Sequence, residues 1–210
     1  MLSILELKAG YRRERLIIRD LNLQVDRRSK LWIKCPHFSV GRLLMALITG
    51  QIRPVGGEIR IMGRKPYMLS SASVPYFMRN LGLFWPDIPL LTEGTVRENL
   101  FWRLAALGEK RHRSLIESAL SLFGLTSIAD VEVSKLSRSE RARVALARAT
   151  VSVPPLIIAL EPARDLPERE ADRILRILSH LTALGSTVIV IASDYPPESL
   201  GFKLVEIEER

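Results

Sequence analysis

The chain has 210 residues, 47% of them hydrophobic and 26% charged. That is long enough to bury a core without disulfides or a structural metal, and too apolar for a disordered chain. One cysteine, Cys35, excludes an internal disulfide framework, and the three scattered histidines (His37, His112 and His180) lack zinc-ligand spacing, so no metal site is expected. The net charge is +8, with 24 arginines among 31 cations. Such a balance attracts polyanions: nucleic acid, anionic lipid headgroups or an acidic partner. No run of 18 apolar residues is present, so no membrane-spanning helix is expected. The first residues lack the basic region and apolar stretch of a secretory signal. The expected compartment is the reducing cytosol.

Alternation over Leu2 to Lys8 predicts a strand, and Arg15 to Val25 predicts a strand pair broken near Arg19-Asp20. Lys30 to Cys35 reads as a short strand before a proline, Gly41 to Thr49 as an apolar helix ended by Gly50, and Gly57 to Gly63 as a strand between glycines. Leu81 to Trp85 is apolar and short, and Pro86 and Pro89 then force a loop. Thr95 with Glu98 forms a capping box opening a helix to about Leu107. Arg113 to Phe123 is a second amphipathic helix, stopped by Gly124. Ser137 with Glu140 is another capping box, opening a helix to Val151. Pro154 to Leu160 is a buried type of strand, Pro167 to Leu184 a helix, Thr187 to Ala192 a fully apolar strand, and Phe202 to Ile207 a closing strand. Strands alternating with helices, some apolar throughout, imply a parallel sheet covered on both faces.

Several segments, in this order, resemble the ATPase subunit of ABC transporters. Lys135 to Ala149 (KLSRSERARVALARA) is similar to the family's signature motif and the helix after it, and Pro155 to Pro162 (PLIIALEP) to its Walker B strand. Val55 to Gly63 resembles the strand after the first helix. Val74 to Phe84 and Leu90 to Asn99 are closest to the cell-division FtsE branch, with its lipoprotein-release and macrolide-export relatives. The resemblance implies an α/β fold: a RecA-like P-loop nucleotidase core with N-terminal antiparallel strands and an inserted helical subdomain. It implies one domain over 1–210, with the core at about 1–85 and 152–210 and the subdomain at about 86–151.

Set against the family motifs, this sequence departs at most positions that carry the chemistry. A phosphate-binding loop uses glycines to turn backbone N–H groups onto phosphate, a lysine to neutralise it and a hydroxyl to hold Mg²⁺. Here the loop reads Cys35, Pro36, His37, Phe38, Ser39, Val40, Gly41, Arg42. Cys35, Phe38 and Val40 stand at glycine positions, Gly41 at the lysine and Arg42 at the metal hydroxyl. A one-residue slide makes Gly41-Arg42 mimic Gly-Lys but puts Leu43 at the hydroxyl. Leu160 replaces the Walker B aspartate, Trp85 the Q-loop glutamine, Ser193 the switch histidine and Pro167 the D-loop aspartate. Arg138 and Ser139 replace the signature glycines, between Ser137 and the Glu140-Arg141 pair. Glu161 stands at the general-base position and Tyr11 where an aromatic residue stacks on adenine.

Phosphoryl transfer is positioning plus electrostatic stabilisation. A base without a metal-bound phosphate has nothing to act on, so Glu161 is read as vestigial and no cofactor is expected. Three functions stay open: a pseudo-ATPase subunit of an FtsEX-like or exporter-like membrane complex; a weakly active ATPase with an unconventional loop, the one reading under which ATP and Mg²⁺ are cofactors; and a basic polyanion-binding adaptor. The first is favoured. The resemblance then implies a cytoplasmic subunit, peripheral at the inner face of the plasma membrane, in a homo- or heterodimer. Its partner is an integral-membrane permease of the FtsX or exporter type, docked on Trp85, Ile88, Leu90, Leu91, Phe101 and Trp102. In the family's head-to-tail dimer, Arg138 or Arg141 of one subunit would approach Glu161 of the other. Basic clusters around Arg12, Arg27 and Arg111 suit an anionic membrane surface, and nucleic acid is the weaker reading because no aromatic residues are interleaved.

Overall fold

A computed structural model describes residues 1–10, 16–86 and 88–208. Two sheets organise the chain. Strands β1 (Leu2–Ala9), β2 (Ile18–Val25) and β4 (Gly56–Ile61) form an antiparallel sheet in the order β2-β1-β4. Strands β3 (Lys30–Lys34), β5 (Leu81–Phe84), β6 (Leu156–Leu160), β7 (Thr187–Ala192) and β8 (Lys203–Glu206) form a parallel sheet in the order β5-β6-β7-β3-β8.

The apolar strands of the parallel sheet have two buried faces because successive side chains point to opposite sides. Leu156, Ile158, Leu160, Ile189 and Ile191 face helix α1 (Phe38–Ile48) and, behind it, the antiparallel sheet. Ile157, Ala159, Val188 and Val190 face the other way, into a second core built from α3 (Val96–Leu107), α4 (His112–Phe123), α5 (Arg138–Thr150) and α6 (Glu168–Ala183). Helix α1 is apolar on nearly every side because it lies between two sheets: Val40, Leu43, Leu44, Leu47 and Ile48 are all buried. A helix hydrophobic all round is a buried one.

Both capping boxes form. The Thr95 side chain accepts from Glu98 N, that of Ser137 accepts from Glu140 N, and each glutamate accepts from its capping residue's N–H at 2.8 Å. Gly124 ends α4 in the left-handed region, at φ 61°. Arg143 ties three helices together. It donates to the Phe123 and Gly124 carbonyls at 3.2 and 3.0 Å, where α4 ends, and pairs with Glu170 of α6 at 3.3 Å.

Several elements differ from the sequence expectation. The second segment is one strand, not two: Asp20 takes φ 56° and the β1–β2 register shifts there, while Asn22 Oδ1 accepts from Glu6 N at 2.8 Å. A bulge thus absorbs the break at Arg19-Asp20 without ending the pairing. Helix α1 begins at Phe38, three residues before Gly41. A short helix, α2 (Val74–Met78), precedes β5. The strand expected to reach Gly63 stops at Ile61, where Met62 and Gly63 turn with positive φ and Ile61 bridges to Arg64. Removing the Ser137 cap is expected to cost about 1 kcal/mol; urea unfolding of Ser137→Ala against wild type measures it.

Candidate functional site

The candidate site lies where β3, β6 and β7 end. Lys34 stands opposite Ala192 and Leu160 opposite Ile191, so the residues leaving these strands are brought side by side. Cys35 N donates to Ala192 O and Glu161 N to Ile191 O, both at 2.8 Å. In open α/β sheets, ligands bind outside these carboxyl ends. The chain turns sharply at Glu161, with φ 46°. Its side chain points inward and is 7% exposed. Glu161 Oε1 accepts from Ser193 N at 2.9 Å and also from Ser193 Oγ. Burial pushes the neighbouring Cys35 thiol up to about 12, and the negative charge of Glu161 adds to the shift.

The segment from Cys35 to Leu43 is mostly helix. His37 is its N-cap residue, and its carbonyl accepts from Val40 N at 3.0 Å and Gly41 N at 3.4 Å. Val40, Gly41 and Leu43 are buried, whereas His37, Ser39 and Arg42 are exposed and Pro36 and Phe38 half-buried. Helix α1 sits flush on the sheet at Gly41. A Cβ there would lie 2.7 Å from Leu160 Cδ1 and 3.1 Å from Ile191 Cγ2. Glycine is what permits this approach. The Phe38 ring carries two guanidinium groups, Arg164 at 4.4 Å and Arg42 at 6.0 Å from its centroid.

Two hollows open beside this edge. One, of about 530 Å³, is bounded by Trp85, Ile88, Leu90, Arg138, Arg141 and Glu161, among others. Arg138, the first residue of α5, pairs with Asp165 at 2.9 Å. Asp165, outside the candidate set read from the sequence, therefore bridges α5 to the loop after β6. The other hollow, of about 400 Å³, lies along β5 and α3 and is lined by Trp85, Ile88, Leu91 and Trp102 together with Arg103 and Arg148.

The six residues read as one docking face are thus divided. Trp85, Ile88, Leu91 and Trp102 share the groove, with Trp102 57% and Leu91 48% exposed. Leu90 lines the other hollow, and Phe101 turns toward α4, edge-on to His112 at 5.1 Å. Phe101 still touches Trp102, edge to face with ring centroids 5.4 Å apart. Of the signature stretch, Ser137 and Glu140 are engaged in the capping box, Ser139 is half-buried, and Arg141 donates to Leu136 O at 3.0 Å. Pro167 is the N-cap residue of α6. Tyr11 lies outside the described residues.

The ABC transporter family model matches residues 43–164. The chain belongs to this family. It is 32% identical over 161 residues to the cell division ATP-binding protein FtsE of Escherichia coli K12, covering 75% of this chain and 72% of the relative. FtsE of Mycobacterium tuberculosis is 26% identical over 191 residues, 90% of this chain and 83% of that protein. The lipoprotein-releasing system ATP-binding protein LolD 2 of Rhodospirillum rubrum is 28% identical over 181 residues, 84% of this chain and 78% of that one. A bacterial ABC transporter cassette solved as a dimer shares the fold, with TM-score 0.84 and 24% identity, over 99% of this chain and 94% of that one. The fold class expected from the sequence is thus an observed one. The chain is an ABC ATPase-type subunit, related to FtsE and to LolD.

In this ABC-type chain, Glu161 Oε1 meets Ser193 at the edge of the first hollow. Its carboxylate is buried and already accepts two hydrogen bonds, and Arg138 has an in-chain partner. Within one chain, Arg138 and Arg141 line the same hollow as Glu161, the carboxylate that the sequence reading pairs with one of them across a dimer. Among the described residues no group of three or more His, Cys, Asp or Glu side chains is placed to hold a metal ion. No helix among them is long and apolar enough to cross a membrane. The raised thiol keeps Cys35 protonated near neutral pH, and a thiol without thiolate character is a poor nucleophile. Iodoacetamide at pH 8 is expected to leave Cys35 unmodified in the native protein and to modify it fully in urea; mass spectrometry reads the difference.

Proposed function

We propose that this ABC-type chain is a non-hydrolysing subunit, a pseudo-ATPase, that docks on an integral-membrane permease of the FtsX or exporter type. In this reading it works at the inner face of the plasma membrane, as a homo- or heterodimer, with residues of about 86–151 acting as a helical subdomain on the core.

The contact between Gly41 and Leu160 is the observation that carries the proposal. A magnesium-bound nucleotide needs a cation at the first position and an oxygen ligand at the second. Here one has no side chain, the other is apolar and 2% exposed, and the two close on each other. Val40 N and Gly41 N are spent on His37 O inside the helix, and Leu43 supplies no hydroxyl. These residues do not fit a magnesium-bound nucleotide. Glu161, the one catalytic-type residue retained, faces Ser193.

What remains suited to function is surface. The groove between β5 and α3 presents Trp102 and Leu91 beside half-buried Trp85 and Ile88. Exposed aromatic and aliphatic anchors beside a hollow are the usual makings of a hot spot. A basic surface suits a position beneath anionic lipid.

Calorimetry with ATP, with and without Mg²⁺, is expected to show no saturable heat at high protein concentration. Saturable magnesium-dependent binding would support the weakly active ATPase instead. Leu160→Asp, which restores the family carboxylate, is expected to destabilise the chain by about 3–5 kcal/mol, the cost of an uncompensated buried charge, and to gain no ATP binding. Trp102→Glu is expected to abolish co-purification with a co-expressed FtsX- or exporter-type permease while leaving the thermal midpoint unchanged.

A further inference from the structure

The groove along β5 and α3 holds charge that its apolar walls do not account for. Arg103 of α3 and Arg148 of α5 both line it and are half-buried. Arg103 Nη2 donates to Leu81 O at 3.0 Å and Arg148 Nη2 to Pro89 O at 2.6 Å. A guanidinium has five N–H donors, so these bonds leave most of the capacity unused. Neither arginine lies within ion-pair distance of a carboxylate among the described residues, and no described residue lining the groove is acidic. Elsewhere Arg60, Arg97, Arg138 and Arg143 each hold a carboxylate. Burial pushes both groove guanidiniums down, and the charge of Arg103 pushes Arg148 further.

Water can solvate the unused donors while the groove is open. An apolar segment seated on Trp102 and Leu91 would remove that water. A wholly apolar occupant therefore buries two like charges without compensation, which is costly. An occupant with a carboxylate between its apolar residues forms charge-assisted, fork-like hydrogen bonds at that point.

We propose that this groove selects a helical partner segment that presents an aspartate or glutamate to Arg103 and Arg148 between apolar flanks. The inference rests on the docking reading above and adds the chemistry of the docked segment. It makes Arg103 and Arg148 specificity-determining residues of the interface, a role that no family motif discussed above assigns to them.

The test uses the full chain and three synthetic 16-residue helical peptides. All share leucine and phenylalanine anchors on one face and differ at one central position of that face: Glu, Gln or Lys. Quenching of tryptophan fluorescence gives the affinity, since Trp85 and Trp102 line the groove. The Glu peptide is expected to bind at least about tenfold tighter than the Gln peptide, the usual worth of a charge-assisted hydrogen bond, and the Lys peptide more weakly than either. Arg103→Met is expected to bring the Glu and Gln affinities together without loss of the Gln affinity, and Arg103→Lys to restore part of the preference. Equal binding of the Glu and Gln peptides to the wild-type chain would overturn the acidic selectivity and leave the groove as a docking site. Failure of all three peptides to bind would overturn the docking reading and this inference together. The wild-type comparison needs no variant to fold.

Discussion

Helix α1 rests directly on β6 and β7, because Gly41 carries no side chain and Leu160 carries an apolar one. Much of the molecule depends on that contact. It closes the carboxyl edge of the parallel sheet with hydrocarbon, and it continues the layer of Leu156, Ile158, Ile189 and Ile191 that α1 covers. It also lets the helix begin at Phe38, since the backbone there winds at once into a helical turn on His37 O instead of looping round a ligand. Close packing leaves little tolerance here, and a side chain at position 41 would have to displace the sheet's own side chains. This apolar seal, with the Glu161 carboxylate beside it, is the feature on which the proposed non-hydrolysing role rests.

The helical side of the molecule shares an apolar core with the parallel sheet, and arginines add polar ties at its margins. Arg138 reaches Asp165, Arg143 spans the end of α4 and Glu170, Arg148 holds Pro89 O, and Arg103 holds Leu81 O. Arginine suits this work because its long apolar stem can cross a packed surface while its planar head keeps several donors at the far end. Part of the high arginine content is therefore structural. The composition alone reads as attraction for polyanions, which overstates how much of the charge is free at the surface. The pair in the groove stands apart because both arginines are half-buried and neither has a carboxylate partner among the described residues.

Most of the architecture was legible in the sequence, for local reasons. Fully apolar runs such as Leu156 to Leu160 and Thr187 to Ala192 have few alternatives to buried parallel strands. The capping boxes at Thr95 and Ser137 mark helix starts through hydrogen bonds made within four residues. The sequence pattern starts α1 at Gly41, three residues late, because burial between two sheets and not local pattern decides where the helix begins. The break at Asp20 reads as two strands because a bulge and a strand end share the same local signal. The candidate site was less legible. The identities of Glu161 and Ser193 stood out, but their hydrogen bond joins residues 32 apart in sequence. The importance of Arg103 and Arg148 left no mark on the sequence, where they are two arginines among 24.

By itself the sequence determined the fold class, the order of the elements, and the chemical identities of the residues at the strand ends and in the loop before α1. Those are properties of single residues and short windows, set by periodicity, capping and side-chain chemistry. Only the tertiary structure decided that Leu160 closes on Gly41, that Glu161 turns inward, and that Trp85, Ile88, Leu91 and Trp102 share a groove which Phe101 and Leu90 do not line. Each of these depends on how strands distant in the chain align in register and on the direction in which one helical position projects relative to the next, and that geometry exists only after the sheet and helices have packed.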